Sequence, residues 1–435
     1  MTRKEQSQIW RALTSLLSAR WIRRQARELG VVKRRRKVDV VALVAALVLG
    51  FDGAQRRTIA GFRRAYELAT GTTLAPSAFY ERLTPELAAL LRELTFRALE
   101  KLGQQTARMQ LALSAFIEVF IADGSLVRLG DALEPWYPSV FANHTKASAK
   151  VHVVMDARTR TPRRLELHHG SRHDVTILSV GPWVKGRLLV LDLAYYQGKL
   201  FTAIAKQHGY FLCRLKAHAN FEVLASDKRR HVGRRLKEVI ENMQGKPLDV
   251  EVDFAYRRAR ERDYDWRHLR VRVVGDWHEE EQRHRLYVTN AGRTQLAAKH
   301  VAGIYALRWE VELLFRELKS AYRIDEIPTA SKSVTECLLY AALLTLAVSR
   351  RLRDVVVGRP QGIRQPYPFE RWATLFGFVA RDLLAVLLAP RRQRATLLDR
   401  PAALLRHEAR DPNRGRLSLS TRAQLGVLKP CSASP

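Results

Sequence analysis

The sequence has few cysteines and no apolar run long enough to cross a membrane. Three cysteines stand among the 435 residues, at Cys213, Cys337 and Cys431. An odd number of widely spaced cysteines argues against a disulfide framework and against a cysteine-type zinc site. The longest apolar run, residues 40–51, is too short to cross a bilayer and predicts a buried helix. The polar and charged start of the chain predicts no signal peptide, so we expect a cytoplasmic protein without a membrane partner.

Acidic residues are also scarce. The chain has 43 Asp and Glu residues against 75 Lys and Arg residues, which gives a formal net charge of +32. Such an excess repels itself unless a polyanion lies nearby, and nucleic acid is the partner that it favours. A basic surface that is merely solvated is the alternative. Charge alone does not distinguish a nucleic-acid-binding protein from an enzyme.

The N-terminal region, residues 1–105, predicts a basic helical domain. A basic run at 33–37 precedes Asp39, which can cap the apolar helix after it. A second helix, at about residues 54–69, carries four arginines. Short basic helices separated by turns are typical of helix-turn-helix DNA binding. An all-helical dimerisation domain with solvated arginines is the alternative.

Strand patterns replace the helical ones after this region. The predicted strands are residues 116–122, 150–155, 163–167, 187–191 and 210–215. Three run in hairpin-like succession, and helices separate the others. That order predicts an α/β fold, a mixed sheet with packed helices of the ribonuclease-H-like type. The first and fourth strands end at Asp123 and Asp192, and open α/β sheets place their chemistry just beyond strand ends.

The helix predicted at about 305–322 carries one narrow polar stripe. At about 100° per residue, four polar side chains fall within roughly 60° of one another. They are Tyr305, Arg308, Glu312 and Lys319. Glu310 and Glu317 point to the far side, so the geometry selects Glu312 among the three glutamates. The alternative is a surface helix with an Arg308–Glu312 pair, which would contribute only about 0.2–0.5 kcal/mol.

The spacing of these four residues, Y-x2-R-x3-E-x6-K, resembles the Y-R-E-K signature of the insertion-sequence-four family of DDE transposases. The segments around Asp123 (ADGS) and Asp192 (VLDLAYY) are similar to the surroundings of the two catalytic aspartates of the family. Gly124 departs from the pattern, because many members carry Ser or Thr there. The resemblance covers about residues 116–351 and implies an enzyme that cleaves and joins the DNA ends of a bacterial insertion sequence.

The resemblance implies Asp123, Asp192 and Glu312 as both the catalytic triad and the metal ligands. Such enzymes hold two divalent cations with hard oxygen ligands, and these cations stabilise the attacking and leaving oxygens. We expect Mg²⁺, with Mn²⁺ able to substitute. Three carboxylates brought together repel one another, so a site completed by cations fits the chemistry.

The resemblance also implies DNA contacts by Tyr305, Arg308 and Lys319, at the phosphates of the transposon end. Trp309 would stack on a displaced base, with packing in the core as the alternative. Some hairpin-forming members carry a tryptophan in the last strand of the insertion, where this chain has Tyr287. We expect Tyr287 to stand in for it, and the hairpin pathway stays open.

Two further polar positions have no assigned role. Asp174 is predicted to cap the helix that follows it. The alternative interpretation is that the pair His173-Asp174 resembles a dipeptide of the family. His152 lies on a predicted strand and is expected to be a packed histidine rather than a metal ligand.

The chain divides into five predicted regions. They are a helical DNA-binding domain at 1–105, a first part of the ribonuclease-H-like catalytic core at 106–215, a β-rich insertion at 216–290, a second part of the core at 291–355 and a basic helical C-terminal region at 356–435. The C-terminal helices are the predicted dimer contact.

The expected partners are double-stranded DNA with terminal inverted repeats, target DNA and a second copy of the chain on DNA. Bound to DNA, the protein would be associated with the bacterial nucleoid. Two alternative functions stay open. One is a domesticated, inactive transposase that only binds DNA, and the other is a structure-specific nuclease of the same fold.

We expect DNA binding to weaken steeply with salt, because each phosphate that a basic residue neutralises releases counterions. With six to ten phosphate contacts, the affinity should fall by roughly 10³ to 10⁵ between about 50 and 200 mM salt. Fluorescence anisotropy of a labelled duplex measures this dependence. A flat dependence would contradict the interpretation that the basic excess serves DNA binding.

Overall fold

The computed structural model describes most of the chain. The described residues are 3–33, 38–51, 57–103, 113–140, 145–243, 245–259, 264–327, 329–357 and 367–412. Most of the basic run at 33–37 and Cys431 lie outside these ranges.

Helices fill the described part of the N-terminal region. They are α1 (Arg3–Leu16), α2 (Ala19–Glu28), α3 (Val40–Leu49), α4 (Ile59–Thr70), α5 (Pro76–Tyr80) and α6 (Pro85–Gly103). Ser18, Asp39 and Thr58 cap α2, α3 and α4, because each side chain accepts a hydrogen bond from a main-chain N–H in the first turn. The cap predicted at Asp39 is thereby confirmed. Every residue of α3 is buried, as expected for a helix that is apolar all round.

A nine-stranded mixed sheet follows. Its strands are β1 (Val119–Arg128), β2 (Ser148–Asp156), β3 (Pro162–His169), β4 (Leu188–Leu191), β5 (Tyr210–Arg214), β6 (Glu222–Ser226), β7 (Leu248–Ala259), β8 (Tyr264–His278) and β9 (Arg283–Thr289). They lie in the order β3-β2-β1-β4-β5-β9-β8-β7-β6. β4 pairs in parallel with β1 and β5, and the other neighbours pair antiparallel. The predicted mixed α/β fold is confirmed, and the β-rich segment extends the same sheet.

The end predicted for the first strand is wrong. β1 does not stop at Asp123 but continues to Arg128, because β2 keeps pairing with it as far as Arg128 opposite Ser148. Its parallel pairing with β4 ends earlier, at Ala122 opposite Leu191. Asp123 therefore lies where β1 loses one of its two neighbours, and that side of the strand is open to other groups.

The next five helices along the described residues lie between the strands or shortly after the last one. They are α7 (Asp174–Ile177), α8 (Gly198–Lys206), α9 (Leu236–Glu241), α10 (Ala298–Tyr305) and α11 (Trp309–Ser320). The cap predicted at Asp174 is wrong. His173 takes the N-cap position without a capping hydrogen bond, and the Asp174 carboxylate instead pairs with Lys150 at 3.0 Å.

The single helix predicted at 305–322 is also wrong at its start. A 3-10 turn, Ala306–Arg308, separates α10 from α11. A 3-10 turn has about three residues per turn rather than 3.6, so it changes the direction in which the preceding residues point. Arg308, Glu312 and Lys319 keep the helical spacing of one face, whereas Tyr305 belongs to α10 and is 9% exposed.

The last helices close the fold against the first. They are α12 (Lys332–Val357), α13 (Phe369–Leu388) and α14 (Arg394–His407). α12 packs along α6 and α1, and both α12 and α13 contact α3. The fully buried Arg57 strengthens this junction by donating hydrogen bonds to the carbonyls of Leu47 at 2.9 Å and Tyr322 at 3.2 Å. The N-terminal and C-terminal helices thus share one core, and the division at residue 105 stays a prediction.

Among the described residues, α12 alone is long and apolar enough to cross a membrane by length and composition. In its most apolar window, 83% of the residues are buried inside the protein. Because most of that window is packed inside the protein, α12 is a core helix.

Two buried ion pairs hold the far side of α11. Glu310 is fully buried and pairs with Arg160, in the turn between β2 and β3. Glu317 accepts two hydrogen bonds, of 2.9 and 2.5 Å, from the guanidinium of Arg350 on α12. Both guanidinium groups lie over the ring of Phe369, at 4.7 and 4.3 Å from its centroid. These contacts fix the rotation of α11 about its axis.

Glu317→Gln should lower the free energy of unfolding by about 3–5 kcal/mol, because it leaves the buried guanidinium of Arg350 without its carboxylate. Arg316→Gln is the matched control on the same helix. Its pair with Glu370 is exposed, and such pairs contribute about 0–1 kcal/mol. Urea unfolding followed by circular dichroism measures both variants, and equal effects would contradict a locking role for the buried pair.

Candidate active site

Asp123 lies on β1 at the carboxyl end of its parallel pairing with β4. Its Oδ1 accepts a hydrogen bond of 2.8 Å from the main-chain N–H of Gly124. Burial is the main influence on this carboxyl and raises its pKa to about 7. The Gly124 N–H and Arg308 act in the opposite direction, while the charges of Asp192 and Asp174 add to the rise. The site therefore contains a carboxylate that is costly to ionise without a cation.

Asp192 is the first residue after β4 and begins a 3-10 turn, Leu193–Tyr195. Its carbonyl oxygen accepts a hydrogen bond from the Cys213 thiol on β5, with Sγ at 3.4 Å. Because β1 and β4 run in parallel, the carboxyl ends of both strands meet at one edge, and both aspartates line the same cleft.

Arg308 and Glu312 approach the aspartates from α11 and from the turn before it. The Arg308 guanidinium lies 2.6 Å from Glu312 Oε1 and 3.7 Å from Asp123 Oδ2. Burial alone would lower the pKa of Arg308, but the carboxylates of Asp192 and Glu312 outweigh it and the pKa is raised. Arg308 is thus a permanent cation that bridges two of the predicted carboxylates.

The cleft that joins these groups has a volume of about 770 Å³. One part of the cleft is lined by Arg308 and the three carboxylates, Asp123, Asp192 and Glu312. Lys319 lines it about two helical turns after Glu312. The structure therefore brings five of the eight predicted site residues to a single cleft.

Sequence reasoning missed several other residues of the cleft. They are Ser125, Phe315, Arg316, Ser320, Arg323, Asp325 and Glu326. Arg316 could have been found, since it falls roughly 20° from Tyr305 on the helical wheel. Arg323 follows the end of α11 in a left-handed conformation, with φ of 50°, and pairs with Glu326 at 2.8 Å. No helical period predicts these last residues.

The three predicted aromatic contacts have different surroundings. Tyr305 and Tyr287 are 9% and 5% exposed, and their ring centroids lie 5.2 Å apart. The Tyr305 hydroxyl has no hydrogen-bond partner within the described residues, and burial followed by the charge of Asp192 raises its pKa. Trp309 is 49% exposed, so it does not pack in the core.

The carboxylates at this end of the cleft fit a divalent cation by their chemistry, since Mg²⁺ and Mn²⁺ prefer carboxylate oxygens. Within the described ranges, no three carboxylate, imidazole or thiol groups already lie at metal-ligand spacing. Arg308 bridges Asp123 and Glu312, and it supplies the positive charge that a cation would bring. The carboxylates therefore fit a divalent cation by their chemistry, and Arg308 lies between two of them.

Comparison with known proteins gives a consistent family. The family model described as the transposase DDE domain matches residues 114–348. A transposase for the insertion sequence element IS231F of Bacillus thuringiensis subsp. israelensis is 22% identical over 368 residues, with 77% of each chain covered. A probable transposase for the element IS5377 of Geobacillus stearothermophilus is 23% identical, covering 61% of this chain and 64% of the relative.

One solved structure is also similar. It is the piggyBac transposase synaptic complex with hairpin DNA, which is 10% identical to this chain with a TM-score of 0.48. The match covers 94% of this chain and 86% of that one.

Asp123→Asn should stabilise the metal-free protein, and the gain should be larger at pH 8 than at pH 5. The unfolded chain releases this proton near pH 4, at about 3.9, whereas burial holds the pKa in the folded protein at about 7. Folding is therefore penalised increasingly as the pH rises from about 4 to 7 and fully above 7. Asparagine removes that penalty.

Thermal unfolding in the presence of a chelator, at both pH values, measures the effect as a rise in Tm. Asp325→Asn is the control, because this exposed carboxylate lines the same cleft and its removal should give no such gain. An equal gain at pH 5 and pH 8 would show that the stabilisation has another origin.

Proposed function

Because this chain belongs to the transposase DDE domain family and is a DNA transposase, we propose that it cleaves and joins the DNA ends of an insertion sequence. We assign Asp123, Asp192 and Glu312 as its catalytic carboxylates. The observation that carries this assignment is their shared cleft, lined from two parallel strands and from one helix. The other two glutamates of that helix are buried in ion pairs. The insertion-sequence transposases among the relatives support this substrate.

We also place the chain in the insertion-sequence-four group, and its sheet in the ribonuclease-H-like class. The spacing of Tyr305, Arg308, Glu312 and Lys319 supports the first assignment. The strand order β3-β2-β1-β4-β5, in which β2 alone runs antiparallel to the others, supports the second.

The proposed cofactor is Mg²⁺, with Mn²⁺ able to replace it, held by Asp123, Asp192 and Glu312. When bound, the cations would activate the attacking hydroxyl and stabilise the leaving 3′ oxygen. Cleavage breaks a phosphodiester bond by attack of water and leaves a 3′-hydroxyl. That hydroxyl would then attack a phosphodiester of the target DNA, joining the two strands and releasing a 3′-hydroxyl of the target strand. In this mechanism no side chain of the protein acts as a covalent nucleophile.

Arg308 has a second task in this proposal. While it bridges Asp123 and Glu312, its guanidinium offsets their charge. Once a cation takes over that task, the guanidinium is free to donate paired hydrogen bonds to a phosphate of the transposon end. Lys319 and Arg316 line the cleft beyond it and would bind the following phosphates. The Lys319 ammonium would act as a point charge, and the Arg316 guanidinium would donate paired hydrogen bonds.

The aromatic residues would contact DNA in different ways. Trp309 is half exposed at the start of α11, where it would stack on a displaced base. Tyr305 and Tyr287 pack on each other, so a DNA contact by either one requires that this pair opens. Tyr287 stays our candidate for the aromatic residue that stabilises a flipped base.

The remaining partners follow from the reaction. We propose that the DNA carries terminal inverted repeats and that two copies of the chain hold two ends together with target DNA. A formal charge of +32 favours association with the nucleoid.

The experiment is strand cleavage of a labelled duplex that ends in the inverted repeat of the element, with Mg²⁺ or Mn²⁺ against a chelator. We expect a metal-dependent nick at the element boundary. Asp123→Ala, Asp192→Ala and Glu312→Ala should each reduce cleavage by about a thousandfold, as expected for several kcal/mol of lost stabilisation. End binding should change little.

Glu310→Gln is the control on the same helix, because Glu310 is buried and faces away from the cleft, and the Glu317–Arg350 pair still holds the helix in this variant. It should still cut when circular dichroism confirms that it is folded. Cleavage by Glu312→Ala together with its loss in Glu310→Gln would overturn the assignment on α11. Cutting without regard to the end sequence would favour a nuclease, and tight binding without cutting would favour a domesticated DNA-binding protein.

A further inference from the structure

The face of β1 opposite to Asp123 carries a second group of polar residues. Side chains alternate between the two faces of a strand, so Asp123 and Gly124 point to opposite faces. β2 places His152 beside Gly124 and Lys150 beside Leu126. Lys150 and His152 therefore lie behind the strand that carries Asp123, on the side away from α11.

A buried hydrogen bond connects this rear face to the turn that follows Asp192. The Nε2 atom of His152 and the hydroxyl of Tyr195 lie 2.8 Å apart and share a hydrogen bond. His152 is 1% exposed and Tyr195 is fully buried. Tyr195 ends the 3-10 turn that begins at Asp192. The bond thus joins the turn that follows Asp192 to β2, the strand that pairs with β1 beside Asp123.

Burial also keeps this bond in one chemical form. It lowers the pKa of His152 to about 4 and raises that of Tyr195 well above its ordinary value. The ring and the phenol both stay neutral at the pH at which the enzyme would work. A neutral pair of donor and acceptor in a dry core has a fixed length and direction.

A second contact anchors the same region. Lys150 donates to the Asp174 carboxylate at 3.0 Å and to the carbonyl of Arg172 at 2.6 Å. The other carboxylate oxygen of Asp174 lies against Gly124, where a Cβ would come within 2.0 Å of it. Any side chain at position 124 would push Asp174 away from this place. Gly124 is therefore the residue that lets the loop of Asp174 close behind the catalytic strand.

We propose that His152 and Tyr195 are positioning residues, which set the place of Asp192 relative to Asp123. The inference rests on the proposed function, since it assumes that both aspartates hold the reacting groups. Asp192 follows a strand of four residues and stands at the start of a turn, so β4 alone does not fix its direction. The His152–Tyr195 bond holds the end of the turn that begins at Asp192, and so it limits where Asp192 can lie. A displacement of about 1 Å at such a site can reduce the rate by roughly a hundredfold.

Tyr195→Phe tests the proposal by removing only the hydroxyl. In the full-length protein with its end DNA, kcat for strand cleavage should fall by about tenfold to a hundredfold. The Mn²⁺ concentration that binds half of the sites, measured by electron paramagnetic resonance, should rise by about tenfold, the lower of the changes known for residues that orient metal ligands. The dissociation constant for end DNA should stay within about twofold, because no DNA-contacting side chain is changed.

Tyr196→Phe is the matched control in the adjacent residue. The Tyr196 hydroxyl is buried but has no hydrogen-bond partner within the described part of the chain. The same substitution there should leave kcat and Mn²⁺ binding unchanged. A merely structural role of Tyr195 would instead lower the Tm of Tyr195→Phe without a specific loss of Mn²⁺ affinity.

Variants of His152 keep the test decisive if Tyr195→Phe folds poorly. His152→Gln can still offer a polar group to the Tyr195 hydroxyl and should retain more Mn²⁺ affinity than His152→Leu. The double variant His152→Leu with Tyr195→Phe should be no worse than either single variant, because both remove the same bond. Additive losses would overturn the proposal.

Asp192→Asn separates the two levels of inference. If this variant keeps normal Mn²⁺ binding and cleavage, the assignment of the catalytic carboxylates fails. If it loses both while Tyr195→Phe behaves like Tyr196→Phe, the catalytic assignment stands and the positioning role is wrong.

Discussion

The two buried ion pairs on the far side of α11 are the constraint on which the rest of the site depends. A carboxylate buried without its guanidinium would be a desolvated charge, so Glu310 and Glu317 have to face Arg160 and Arg350. A helix that is held at two points on one side cannot rotate about its axis. Glu312 is thereby turned to the opposite side, towards the strands that carry the aspartates.

The electrostatics of the cleft follow from the same arrangement. Burial makes the ionised form of Asp123 costly, and Arg308 offsets part of this cost from the turn before α11. The ionised carboxylates of the site thus need positive charge close by, although the chain as a whole carries a net charge of +32. The guanidinium of Arg308 supplies positive charge to two of these carboxylates, those of Asp123 and Glu312.

The sheet separates two tasks between its faces. The face towards α11 carries the groups assigned to the chemistry, and the opposite face carries the bonds that hold the strand ends in place. α12 links this arrangement to the N-terminal helices, since it contacts both α11 and α6. The helix that carries Glu312 is therefore supported from the sheet and from the helical core at once.

The sequence by itself determined the features that depend on local period and local chemistry. The strand pattern located Asp192 at a strand end, and the cap at Asp39 located the start of α3. The helical period of about 3.6 residues placed Glu312 on the face opposite to Glu310 and Glu317. Sequence did not indicate the continuation of β1 past Asp123, the 3-10 turn that withdraws Tyr305 into the interior, or the rear bond of His152 to Tyr195. Only the tertiary structure decided these, because strand pairing, burial and ion pairs join residues that are far apart along the chain, and no local period reports on such partners.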